Sequence, residues 1–345
     1  MKFVVEENNL EMKNTSGSKI NRRKTFIFFL DHIIEICLIL LVIALTLSAN
    51  RFLTLPNWMN ILRANSLKGV IAFGMTMVII AGQIDLSIGS MVGLSGVIVA
   101  LACRDLTAAG MDQSLACIIG MILCILLAIA MGWIHGFFQH KTGMPAFIVT
   151  LASLYALLGL AGKLSDGFPI PNQFPEWYNN LGGGRIGGMN GVPIPVILLL
   201  ISFFIIWFIM KYTTTGRATY AVGGNPESAR LSGINVGKTK IIVFIAVQVL
   251  AVLSGFMTSG QVMSGSFTFG RGWELDVIAA VVVGGTSFTG GVGKVWGTLV
   301  GVIFMGVIGN GMTLLNIDIH SQYIVKAFIM FLAVLLSSYR ARVKA

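Results

Sequence analysis

Charge is what this sequence has least of. Only 11% of its 345 residues are Asp, Glu, Lys or Arg, where soluble domains carry roughly 25%. A water-soluble core has nowhere to put a chain that is 55% apolar; a bilayer does. Acid is scarcer than base, 14 residues against 24, for a formal charge of +10. The four cysteines, Cys37, Cys103, Cys117 and Cys124, lie in or beside apolar runs with no CxxC and no Cys/His cluster. That argues against a disulfide framework or a zinc site. The four histidines are scattered, none at metal-ligand spacing, and are expected to pack or to sit at the interface. No nucleophile–base set points to an enzyme.

The phosphate-binding pattern is missing as well. SGINVGKT at 232–239 comes close, but Ser232 stands where the first glycine belongs and no strand precedes it. Gly293-Lys294 fails in the same way at Phe288. The chain is expected to bind no cofactor or metal of its own.

Apolar runs fill most of the rest and predict an all-α polytopic membrane protein. The first run, 26–47, is too long for a signal peptide and is expected to stay as a span; Asp31 and Glu35 lie near its start. Further spans are expected at 61–81, from about 91 to 103, and at 114–134, 145–162, 196–210, 241–259, 294–315 and 320–337. Between them, 273–288 holds a short apolar stretch ended by Gly284-Gly285, which reads as a broken or re-entrant eighth span. About ten transmembrane segments result. Residues 1–25 form an inner tail, 163–195 a long non-helical outer loop, 136–144 and 211–240 inner loops, and 339–345 an inner tail. With both termini inside, sixteen of the 24 basic residues fall on the inner side and six outside, while Lys68 and Lys326 lie within spans. The positive-inside rule expects this asymmetry. The basic excess therefore sits beside spans and sets orientation; a nucleic-acid partner is not expected.

Inside 211–240 lies a compact helix signal: Asn225 as N-cap, Pro226 at the first position, Glu227 in the first turn and Gly233 as terminator. A helix over 226–232 spans only about 10 Å and cannot cross a bilayer. It is either an ordinary cytoplasmic loop or a surface on which something docks.

Asp85 sits in a glycine-bracketed break between two spans, flanked by Gln83 and Ser87, and Glu274 and Asp276 precede the broken eighth span. Charge at membrane depth faces protein or water, and broken helices can offer backbone groups to a solute. These five residues are candidates for a translocation pathway; the alternative is that the acids lie at the interface or satisfy freed backbone donors. GxxxG pairs at Gly89/Gly93, Gly132/Gly136 and Gly297/Gly301 fit close helix packing, a weak signal among 41 glycines.

Three longer strings carry a resemblance. GQIDLSIGSMVGLSG (82–96) is similar to the GGIDLSVGS signature of permease subunits of bacterial ribose/galactose/xylose-type ABC importers. GRATYAVGGNPESARLSGINV (216–236) resembles the cytoplasmic loop of that family, and ELDVIAAVVVGGTSFTGGVGKVWGTLVG (274–301) resembles a third block. They occur in family order, and the similarity covers about 26–338. One departure is Gln83, where the family has a second glycine.

The resemblance implies an ABC importer permease with about ten helices in two pseudo-related halves, in the bacterial cytoplasmic membrane. Its partners would be a second permease copy or homologue, ATP-binding subunits that hold ATP and Mg, an extracytoplasmic solute-binding protein and a small sugar. The loop would couple to the ATPase through Gly216, Arg217, Gly223, Gly224, Asn225, Pro226, Glu227, Ala229, Arg230, Leu231 and Gly233. Bulky residues at Gly224 or Ala229 are then expected to uncouple ATP hydrolysis from uptake. A nucleoside or autoinducer-2 would suit the same design. A channel would run downhill without ATP. A secondary transporter would need acids paired with bases along the spans, and only Lys68 and Lys326 supply bases there.

Overall fold

The computed structural model describes residues 32–171, 173–188 and 191–344, with side chains described up to 335. The expected inner tail 1–25, the start of the first span and Asp31 lie outside the described residues.

Thirteen helices are described. The first, α1 (Ile33–Ser48), precedes α2 (Leu55–Ile80), α3 (Ile88–Ala108), α4 (Gln113–Thr142) and α5 (Ala146–Leu164). Then come α6 (Glu176–Gly183), α7 (Ile194–Tyr212), α8 (Thr214–Gly224), α9 (Pro226–Leu231) and α10 (Val236–Val262). The last three are α11 (Trp273–Val283), α12 (Val295–Leu314) and α13 (Ile319–Lys344). Among the described residues, α2, α3, α4, α5, α7, α10 and α12 are long and apolar enough to cross a membrane. The apolar parts of α1 and α13 are shorter, and α11 stops at Gly284. Seven long spans, two shorter apolar helices and the broken α11 agree with the expected count of about ten.

Burial sorts the helices. Every residue of α2 from Gly69 to Ile80 and of α3 from Ile88 to Val97 is buried, which marks core helices rather than one-faced ones. α10 joins them and packs along α4, α2 and α3, while α12 lies on α2 and α11. The flanking helices turn apolar side chains outward instead: Ile122 and Trp133 on α4, Tyr155 on α5, Phe204 on α7, Phe328 on α13. In a bilayer that face meets lipid at no cost.

Several helices overrun the expected spans. α4 continues to Thr142, through most of the stretch expected as an inner loop, and ends at Gly143 in a left-handed conformation (φ 71°). Its start is capped by Asp112, whose side chain accepts from the Leu115 N–H. α10 begins at Val236 rather than 241, capped by Asn235. The outer loop 163–195 was expected to be non-helical, yet it holds α6. Tyr178 of α6 is buried and its hydroxyl meets Ser259 Oγ at 2.7 Å. A phenol that finds a polar partner can be buried as well as any aliphatic, so it pins the loop to the end of α10. The loop is further fixed by two short antiparallel pairs, β1 (Ile170–Pro171) with β4 (Ser264–Gly265), and β2 (Arg185–Ile186) with β3 (Val192–Pro193).

All three GxxxG pairs turn out to be close contacts. Gly89 and Gly93 lie against the carbonyls of Gly270 and Phe267, Gly132 and Gly136 against the backbone of Ile245 and Ile241, and Gly297 and Gly301 against Gly284 and Ala280. Gly132→Val is therefore expected to force α4 off α10 and destabilise the fold by about 1–3 kcal/mol. Gly159→Ala, where an added Cβ meets nothing within 4 Å, should leave it unchanged. Thermal unfolding in detergent reads both, and equal melting of the two variants would remove the crossing from the account.

Candidate functional site

The loop between α7 and α10 folds as two helices. α8 was not expected; Thr213 caps it, accepting from the Gly216 N–H at 3.3 Å. α9 follows directly, with Asn225 Oδ1 accepting from the N–H groups of Glu227 and Ser228 at 3.0 and 2.9 Å. Pro226 stands at its first position, and the turn after it closes at Gly233 (φ 82°). Ala229 is buried against Val222 and Val236, so the loop carries a small core of its own. The opposite side of α9 is open. Leu231 is 75% exposed, and Arg230 and Glu227 pair across the surface at 2.6 Å. That hydrogen bond holds the Glu227 carboxyl below its ordinary range and the Arg230 guanidinium above its own. Arg217 is exposed on α8, and Gly216 is buried against the backbone of Ile209 and Met210.

The two positions expected to be sensitive to bulk behave differently. A Cβ on Gly224 would meet nothing within 4 Å, so no crowding arises there within the chain. Ala229 faces inward, so bulk there disturbs the loop's own core rather than an exposed contact surface. The crowded glycine is Gly223, where a Cβ would land on the carbonyl oxygen of Ile80 and 2.7 Å from the Gly291 N.

The break after α2 forms the second site. Asp85 and Ser87 are fully buried, and Gln83 is partly so. Asp85 Oδ1 accepts from the Ser87 N–H at 2.8 Å and from Ser87 Oγ at 2.7 Å. Oδ2 accepts from Gln248 Nε2 at 2.7 Å, and His135 Nδ1 stands 3.4 Å away. Gln248 also reaches Ser87 Oγ at 2.8 Å, and His135 Nε2 meets Ser153 Oγ at 2.8 Å. A carboxylate in a dry interior persists only when paired and hydrogen bonded; α10 supplies Gln248 and α4 places His135 beside it, with Ser153 of α5 behind His135. His135 was expected only to pack or sit at the interface, and Gln248 was not singled out. A lone polar residue in an apolar run was the one available signal for each.

The third site gathers Asp276 of α11, Lys68 of α2 and Lys326 of α13. Lys68 Nζ donates to Asp276 Oδ2, and Lys326 Nζ lies 3.8 Å from Oδ1. Lys68 also stands 5.4 Å from the Trp273 ring centroid. With Asn65 these three residues line a cavity of about 40 Å³, large enough for water. All three are 23–30% exposed at their side chains. Glu274 points the other way, toward Gly89 of α3. The structure thus separates the five pathway candidates into the Asp85 break, the Asp276 triad and Glu274. It also pairs the two lysines that sequence alone left unpartnered.

Comparison with known proteins adds the family. Residues 57–334 match the family described as branched-chain amino acid transport system / permease component. The chain is 39% identical over 301 residues to the ribose import permease protein RbsC of Escherichia coli K12, covering 87% of this chain and 91% of that one. It is 36% identical over 312 residues to the probable ABC transporter permease protein YphD of the same strain, covering 89% and 90%. To the xylose transport system permease protein XylH of that strain it is 33% identical over 348 residues, covering 84% and 87%. No solved structure matches. Ten apolar segments, the charge pattern and a match over most of the chain agree: this multi-pass membrane protein belongs to the branched-chain amino acid transport system / permease component family.

Proposed function

We propose that the chain is the membrane subunit of an ATP-driven, binding-protein-dependent importer of a small sugar, and that α9 is where its motor docks. The observation that carries the reading is α9 itself. It is a capped two-turn helix held by its own buried alanine, with an apolar side chain left in water, between two membrane helices. The substrate class comes from the ribose and xylose permeases it resembles. Both termini, α8, α9 and the ends of α2 and α11 are assigned to the cytoplasm, and α6 with the β1–β4 pair to the outside, as the charge asymmetry suggests. ATP and Mg belong to a partner subunit, and a second copy or a homologue completes the pathway.

Within that reading Asp276, flanked by two lysines and a cavity large enough for water, is assigned to the pathway, with Glu274 beside it. Asp85, Ser87 and Gln83 contact solute only if the break opens; in the described conformation Asp85 and Ser87 are closed in.

A secondary transporter has one observation in its favour, because acids are paired with bases along the spans after all. The test separates the two. The chain, its ATPase and its binding protein are reconstituted in vesicles, and uptake is measured over pentoses, hexoses and nucleosides. Accumulation should need ATP and survive an uncoupler of proton gradients. Uphill uptake by the chain alone, or uptake abolished by the uncoupler with ATP present, would replace this reading with the secondary one.

A further inference from the structure

Three stretches of main chain meet without side chains between them. The Gly291 N–H donates to the Ile80 carbonyl at 2.8 Å. A Cβ on Gly290 would stand 2.7 Å from the Gly223 carbonyl oxygen and 3.0 Å from Gly82 Cα, and one on Gly291 would stand 2.8 Å from Gly224 Cα. Gly291 also has φ 73°, which an L side chain resists. Tyr220 of α8 adds a hydrogen bond from its hydroxyl to the Gly293 carbonyl at 2.9 Å. The end of α8, the end of α2 and the turn after α11 are therefore joined backbone to backbone. Only Asn225 separates that seam from α9.

The segment from Ile80 to Ser87 has a second fixed end. Asp85 holds it to Gln248 of α10 and lies beside His135 of α4, and Thr150 of α5 donates to the Ile84 carbonyl at 3.4 Å. So one short link touches the base of the docking helix at Ile80–Gly82 and the interior of the bundle at Asp85. Side chains absorb small displacements by changing rotamer. A main-chain contact has none to change, and packed interiors transmit strain.

We infer that the glycine seam of Gly223, Gly290 and Gly291 against Ile80 is the relay by which movement of α9 reaches the bundle, with Asp85, Gln248 and His135 as its anchor. These are positioning residues for coupling: none needs to touch solute or nucleotide. The inference rests on α9 being the docking helix.

The experiment reads three quantities in the reconstituted complex: copurification of the ATPase, ATP hydrolysis, and solute accumulated per ATP hydrolysed. The probe is ribose, or the solute that the wild-type complex accumulates from the panel above. Gly223→Ala should keep the ATPase bound and hydrolysing but lower the uptake-per-ATP ratio about tenfold or more. Gly159→Ala, outside the seam and with nothing within 4 Å of an added Cβ, should keep the wild-type ratio. Tyr220→Phe removes one hydrogen bond and no volume, and should lower the ratio about threefold. It serves should Gly223→Ala fail to accumulate in the membrane. A wild-type ratio in Tyr220→Phe and in any Gly223→Ala protein recovered would overturn the relay, as would an equal loss in Gly159→Ala. If the ATPase fails to bind the wild-type chain, the docking reading falls instead, and the two failures are told apart by copurification alone.

Discussion

Asp276→Leu should cost the protein about 2–3 kcal/mol of stability and most of its transport. The substitution leaves Lys68 and Lys326 facing each other around a cavity within the bundle, with no carboxylate between them. Removing one partner of a buried pair costs about 3–5 kcal/mol, and an unpaired lysine at the centre of a membrane helix costs about 2.5–3.5 kcal/mol. Because the three side chains are about a quarter to a third exposed, the lower part of that range applies. Adding Lys68→Leu to the same chain removes one of the stranded charges and should restore at least half of the lost stability. Transport should stay low in the double variant if Asp276 faces the pathway. Unfolding in detergent and uptake in vesicles read the two effects separately. A single variant as stable as wild type would show that the triad carries no weight in the fold. Full recovery of uptake in the double variant would take Asp276 out of the pathway.

Leu231→Asp is the second large effect, and it acts outside the membrane. The side chain is 75% exposed, so the fold has no stake in it and the variant should melt like wild type. In a docked complex the leucine would be covered. Losing that burial forfeits about 2 kcal/mol, and a carboxylate without a partner adds to the loss. Binding of the ATPase to the chain in nanodiscs should weaken by about 30-fold or more. The neighbouring Glu227–Arg230 pair is open to water, where such pairs contribute little; Arg230→Ala should change binding far less. Undiminished binding in Leu231→Asp would mean that the partner grips some other part of the loop.

How much of this could be read in the residues alone differs from one part to the next. The ten segments were legible because hydropathy and the positive-inside bias act locally along the chain. The Asn225 cap was legible for the same reason, and α9 lies where Pro226 and Gly233 place it. Helix ends were less so: α4 runs on through Phe137 and Phe138 to Thr142 because nothing stops it before Gly143. What remained hidden is who faces whom across the bundle. In a soluble helix the apolar stripe reveals the inner face. In a membrane helix the lipid face and the core face are both apolar, so the rotation of α4 that brings His135 to Asp85 leaves no periodic trace. Gln248 lies 163 residues from Asp85, and nothing local links them. The choice between Gly223 and Gly224 is hidden likewise, since two adjacent glycines look the same until the carbonyl of Ile80 is found beside one of them.

The β2–β3 hairpin gives the molecule a convenient handle. Arg185 pairs with Pro193 and Ile186 with Val192, so the ribbon closes on itself at its base, and the Ile186 side chain is exposed. A cysteine in place of Ile186 would sit on the outer loop, away from all three sites. Membrane-impermeant reagents could then settle which face of the cell it occupies while the importer keeps working.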